Sequence, residues 1–253
     1  MAALPRPPSA QEFAEEALPH PRWIVEKLLP GDGWTLLVAR PKTGKSLLAL
    51  QLAAAMQGGT FLGRLVTSPS RVLYIQLDAP PGDWQDQVRL LTADRREWAT
   101  YTRQHLPLYV LDPTYASVQA QLRDEIKRGG YGLVILDALE KLTKQDINTK
   151  EGCQAFIDRL RVVSPGPTLV IHHPRKPHGD AADNVIDSAA GHHYLTGDAS
   201  AIWGLTKSDG GGTLRVQTRG TEDQKIDLAR LPSGLWALGQ PKAKPEFKPV
   251  EGW

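Results

Sequence analysis

The sequence predicts an α/β fold, a three-layer core with a mostly parallel twisted sheet and antiparallel strands at its C-terminal edge. Three observations predict it. Short apolar runs recur between residues 34 and 171 with amphipathic helical stretches between them, which is the pattern of βαβ units covered on both faces. A glycine-bearing loop at 39–46 joins the first of these runs directly to a helical stretch. After about residue 200 the runs become shorter and are separated by Asp-Gly-Gly-Gly and Pro-Ser-Gly turns, the texture of a meander.

Ser9-Ala-Gln-Glu12 fits a capping box and opens a short helix before Pro19. Residues 21–33 read as a lead-in punctuated by Pro and Gly. Trp34–Val38 is an apolar run with the length of a buried strand, and Ser46–Met56 has helical spacing that Gly58-Gly59 stops. Further strands are expected at Val72–Leu77, Leu106–Leu111, Leu133–Leu136 and Leu169–Ile171, with helices at Ala116–Lys127 and Glu151–Val163. Ile202–Lys207, Leu214–Thr218, Ile226–Leu228 and Leu235–Leu238 read as antiparallel edge strands. The chain divides accordingly into a lead segment (1–22), the α/β domain (23–239) and a flexible Pro- and Lys-rich tail (240–253).

Composition narrows the class. Of 253 residues, 41% are hydrophobic and 23% charged, so a core of useful size is available. The net charge of +2 is too small to argue for nucleic acid, and any such claim must come from local placement of Lys and Arg. The one cysteine, Cys153, cannot form an intrachain disulfide, and no apolar run has signal-peptide or membrane-span character. These features predict a cytoplasmic protein with no membrane association.

Residues Ala39, Arg40, Pro41, Lys42, Thr43, Gly44, Lys45 and Ser46 follow a strand and open a helix, the context of a Walker A phosphate loop. Backbone N–H groups and the helix N-terminus, with Leu47 in its first turn, cradle phosphate oxygens there. Lys45 reaches the β- and γ-phosphates of ATP, and the Ser46 hydroxyl takes Mg²⁺. The first glycine of the pattern is replaced by Ala39, a small residue. Tyr131-Gly-Leu-Val-Ile-Leu-Asp137 is an apolar strand ending in a carboxylate, the position from which Asp137 holds Mg²⁺. A hydrolase also needs a carboxylate to take the proton of the attacking water. Asp78, ending Val72-Leu-Tyr-Ile-Gln-Leu-Asp78, is the candidate, with Glu140 as the alternative.

These motifs together resemble the RecA-like ATPases, and especially the plasmid RepA-type branch of replicative helicase motors. The resemblance spans roughly residues 20–230. It rests on W-I-V-E-K-L-L-P-G-D-G before the loop, A-R-P-K-T-G-K-S, F-L-G-R at 61–64, V-L-Y-I-Q-L-D at 72–78, V-I-L-D at 134–137 and I-H-H-P-R-K at 171–176. It implies a catalytic base at Asp78, where that family usually has Glu, one methylene longer. A γ-phosphate sensor is implied at His172, with His173 as second choice. The resemblance further implies a homo-oligomeric ring, hexameric, with active sites between subunits and a cation supplied by the neighbour. Arg219 is the first candidate for that cation, then Lys207 and Arg215. His192 and His193 fall in a small-residue helix and read as structural or interface residues.

The same resemblance turns two loops toward single-stranded DNA. One, Ala138–Thr149, carries Lys141 and Lys144; the other, from Pro174 to about Asp187, carries Arg175 and Lys176. Lysine-bearing loops track a phosphate backbone without reading sequence. The function expected is an ATP-driven motor of replication or recombination, of plasmid or phage origin. The alternatives are a recombinase filament, a nucleotide-switched DNA-binding protein with weak turnover, and a P-loop kinase or small-molecule enzyme, against which the RecA-like motif order argues.

Overall fold

The computed structural model describes residues 9–16, 22–57, 59–94, 108–110, 116–139, 143, 145–174, 185–186 and 193–239. Its centre is a nine-stranded sheet. Six strands are mutually parallel: β3 (Trp34–Ala39), β6 (Val72–Gln76), β7 (Leu108–Val110), β8 (Leu133–Asp137), β9 (Thr168–His172) and β10 (Ala201–Ser208). Three more, β11 (Gly211–Thr218), β12 (Gln224–Arg230) and β13 (Trp236–Leu238), continue it antiparallel. The spatial order is β13-β12-β11-β10-β3-β9-β8-β6-β7. Two small hairpins, β1–β2 (Trp23–Val25, Leu29–Pro30) and β4–β5 (Thr60–Phe61, Leu65–Val66), lie outside the sheet.

Among the described residues the helices are α1 (Ala10–Glu15), α2 (Lys45–Ala55), α3 (Pro81–Asp94), α4 (Ala116–Gly129), α5 (Lys150–Val163) and α6 (His193–Asp198). The capping box expected at the first of them forms in both directions: Ser9 N donates to Glu12 Oε2 (2.6 Å), and Glu12 N donates to Ser9 Oγ (3.2 Å). Two cores sandwich the sheet. One gathers α2, Trp84 of α3, Leu37, Tyr74, Ile135, Ile171 and the C-terminal residues Leu214, Leu228 and Trp236. The other gathers α5, Leu122 and Ile126 of α4, and Leu36, Val38, Ile75, Val134 and Val170. Alternate residues of each strand serve opposite cores, so every residue of β3, β6, β8 and β9 is buried.

One expectation is corrected. Ile202–Lys207 is not an edge strand of an antiparallel meander: β10 pairs parallel with β3 along Ala201–Leu205 and antiparallel only with β11. Its first five residues are buried, as a strand flanked on both sides requires. The lead-in at 21–33 contains the β1–β2 hairpin, tied down where Trp203 Nε1 donates to Leu28 O at 2.9 Å. The helix Pro81–Asp94, which the sequence reading leaves unassigned, packs Trp84 on Tyr74 with ring centroids 4.5 Å apart. The tail at 240–253 lies outside the described residues. Among the described residues no helix is long and apolar enough to cross a membrane.

Candidate active site at the phosphate loop

Because six strands run the same way, their C-terminal tips meet along one edge. The phosphate loop leaves β3 there. Thr43 N and Oγ1 both donate to Arg40 O, at 3.3 and 2.7 Å, closing a turn. Lys42 and Gly44 hold positive φ angles of 61° and 96°. Gly44 is the N-cap of α2 and gives it no side-chain cap, so the first amides of the helix keep their donors for an anion. A side chain at Gly44 would meet Arg230 Nη1 at 2.9 Å and Trp236 Nε1 at 3.1 Å, which adds a steric reason for glycine to its left-handed backbone. Lys45 is buried to 8% exposure beside this turn.

Asp137 ends β8 on the same side of the sheet as α2. Its carboxylate accepts from Tyr74 Oη (3.0 Å) and Gln76 Nε2 (3.1 Å), and from the Ser46 hydroxyl. Burial raises its pKa above the ordinary carboxylate value; the hydrogen bonds from Ser46 and Tyr74, the charge of Lys45 and the bond from Gln76 pull the other way without cancelling it. Burial, and then the charge of Asp137, hold the Tyr74 phenol well above its usual value, so it remains a donor. A hydroxyl and a carboxylate, both oxygen donors, beside a lysine and an uncapped helix start are a donor set suited to Mg²⁺ and a triphosphate.

Gln76 is the residue that the sequence reading missed. It is 1% exposed and binds in two directions: its amide nitrogen goes to Asp137, and its Oε1 accepts from Asp78 N (2.9 Å) and Ala79 N (3.1 Å). It therefore fixes the chain where Asp78 leaves the sheet. The signal was present in V-L-Y-I-Q-L-D, where Tyr74 and Gln76 are two residues apart on one strand face and are its only polar side chains before Asp78.

The other predicted residues fall in three groups. Asp78 lies at the tip with its side chain 44% exposed, and His173 Nε2 stands 3.8 Å from its Oδ2. Strand alternation gives His172, fully buried, to the opposite face with Val170, so His173 is the histidine that faces Asp78. Lys207, exposed at the tip of β10, helps line a pocket of about 430 Å³ with Arg40, Lys42, Thr43, Val185 and Thr206. Arg215 is half-buried in mid-strand opposite Gly204. Arg219 follows β11 at the other end of the sheet, next to Ser200 and the start of β3, and its guanidinium donates to Gly197 O. One chain does not bring Arg219 to its own phosphate loop. Glu140, Lys141, Lys144, Arg175, Lys176 and His192 lie outside the described residues.

Comparison with known proteins agrees with this geometry. A family model described as an AAA domain matches residues 3–179. No curated protein matches the chain. Among solved structures, a KaiC-like protein from the hyperthermophilic archaeon Pyrococcus horikoshii OT3 superposes with a TM-score of 0.56 at 11% identity, covering 86% of this chain and 94% of that one. At that identity the likeness is one of fold, and it is the fold built here: a parallel sheet carrying a phosphate loop, extended by antiparallel strands. With the family model spanning well over half of its residues, the chain belongs to the AAA domain family, as a P-loop ATPase of RecA-like fold.

Proposed function

We propose that this chain is the motor subunit of a ring that hydrolyses ATP to act on single-stranded DNA in replication or recombination. The observation that carries the hydrolytic part is the Asp137 carboxylate, buried against Lys45 and held by Ser46, Tyr74 and Gln76. In this reading the loop amides and Lys45 bind the β- and γ-phosphates, and Ser46 and Asp137 would hold a Mg²⁺ ion, which would screen the phosphate charge. Water attacks the γ-phosphorus as the bond to the β–γ bridging oxygen breaks, and its proton passes to Asp78. His173, beside Asp78 at the root of the loop that follows β9, is placed to relate the state of the site to that loop.

The DNA and ring parts are supported by the resemblance of the motif order to replicative motors and by the basic residues assigned to the two loops, Lys141, Lys144, Arg175 and Lys176. Arg219 lies far from its own phosphate loop, which is where a cation acting on a neighbour's nucleotide has to lie. The ATPase rate with and without single-stranded DNA, with light scattering for mass, tests the proposal. Stimulation by DNA together with a ring-sized particle supports it, and a DNA-insensitive monomer refutes it. Arg219→Ala is expected to retain nucleotide binding and lose turnover by at least about tenfold; normal hydrolysis would place the trans cation elsewhere. One observation favours a second reading. Asp78, shorter than Glu, reaches less far toward a water, which suits a nucleotide-controlled switch with slow turnover.

A further inference from the structure

Arg230 belongs to none of the motifs above. It ends β12, opposite Trp236 on β13, with its backbone N donating to Gly210 O at 3.0 Å. Trp236 is itself bolted to the phosphate-loop helix. Its backbone exchanges two hydrogen bonds with the Gln51 side chain, 2.8 and 2.9 Å, and its indole Nε1 donates to Gly44 O at 3.2 Å. The Arg230 guanidinium lies over this indole, 4.4 Å from the ring centroid, and its Nη1 sits 2.9 Å from the point that a Gly44 side chain would occupy. That Nη1 is buried with no hydrogen-bond partner. A guanidinium has five donors and no acceptor, so a buried donor without a partner points to an acceptor supplied from outside the chain.

We propose that Arg230 binds a phosphate oxygen of the nucleotide held by its own chain, at the phosphates that are not cleaved. The order of tips supports that assignment. Reading across the sheet, Arg230 on β12 lies on one side of the β3 loop and Asp137 on β8 lies on the other. Asp137 and Asp78 mark the side of the γ-phosphate, so a cation on the far side addresses the α- and β-phosphates, which ATP and ADP share. Burial lowers the pKa of the guanidinium from its usual value, the mark of a cation taken out of water, and an anion there offsets that cost. The inference rests on the ATPase reading of the loop.

The test is a calorimetric titration of full-length wild type, Arg230→Met and Arg230→Lys with MgATP and MgADP, paired with steady-state kinetics and melting of the nucleotide-free proteins. Arg230→Met is expected to weaken both nucleotides by about 10- to 100-fold, the loss of one charged hydrogen bond. The Lys variant falls between, and the loss shows in KM more than in kcat. Unchanged MgADP affinity in Arg230→Met overturns the proposal, as does a loss confined to MgATP. If the Met variant does not fold, Arg230→Gln decides by the same thresholds. Wild type that binds neither nucleotide brings down the ATPase reading and this one together, whereas wild type that binds beside an unimpaired Met variant removes only the role of Arg230.

Discussion

The two halves of the sheet treat polar side chains differently. On the parallel half, β3, β6, β8 and β9 are buried along their whole length; Gln76, Asp137 and His172 are buried near the tips, and the smaller polar residues Thr35 and Thr168 near the other ends. On the antiparallel half, β11 alternates buried with half-buried residues along most of its length, and Leu228 is the one buried residue of β12. Its buried contribution comes through Leu214, Leu228 and Trp236. The first half concentrates charge in a dry place, where electrostatic interactions are strong and each unsatisfied group is costly. The second acts as a clamp, holding the start and middle of α2 through Gly44 O and Gln51. Bond cleavage and rigidity are thereby separated onto opposite flanks of one loop, with the proposed contact of Arg230 to the uncleaved phosphates on the clamp side. Damage to the parallel tips should mainly remove activity, and damage to the clamp should mainly remove stability.

The strongest way to break this division is Lys45→Ala, which removes the buried ammonium. ATP hydrolysis is expected to fall by about a thousandfold or more in a phosphate-release assay while the fold persists; retained turnover would refute the assignment of the loop. Asp137→Asn should cost about 100-fold or more in rate and yet raise the melting temperature of the nucleotide-free protein at neutral pH. The reason lies in the raised pKa of Asp137. The fold favours its protonated form, so its contribution to stability is complete below the unfolded carboxylate pKa and is lost as pH rises through the folded value. The melting gap between Asn variant and wild type should therefore widen from acid toward neutral pH, and a pH-independent gap would contradict it.

Trp236→Ala tests the clamp. Loss of a buried indole and its contacts should reduce unfolding free energy by about 3–5 kcal/mol in a denaturant titration. A variant that is fully stable but inactive would reverse the comparison. Gln76→Leu is the mildest and the most discriminating. It leaves the amides of Asp78 and Ala79 without their acceptor, a cost of about 1–3 kcal/mol. It should also lower kcat by roughly tenfold by loosening Asp78; an unaffected kcat would leave Gln76 a purely structural role.

Much of the parallel half was legible in the sequence because strands buried on both faces read as unbroken apolar runs: Trp34–Val38, Val72–Leu77 and Leu133–Leu136 each fall within a residue or so of the strand observed. The strand Ile202–Lys207 was found, but its direction was not. An apolar run of that length has the same pattern whether its neighbour is parallel or antiparallel, and the turn that follows it suggested a meander. Helix α3 was missed for a related reason, since Pro81, Gly82 and Asp83 open it with residues that equally begin loops.

The sequence by itself determined the chemistry of the phosphate loop, because A-R-P-K-T-G-K-S between a strand and a helix is a local arrangement, set by residues adjacent in the chain. It also placed Asp137 and Asp78 at strand ends, since an apolar run that stops at a carboxylate marks its own tip. Tertiary structure alone decided which histidine meets Asp78, that Gln76 joins the two carboxylate-bearing tips, and that Arg230 and Trp236 close on Gly44 from 186 and 192 positions away along the chain. Contacts of that separation depend on strand order and on which face each residue takes, and both are fixed only when the whole sheet assembles.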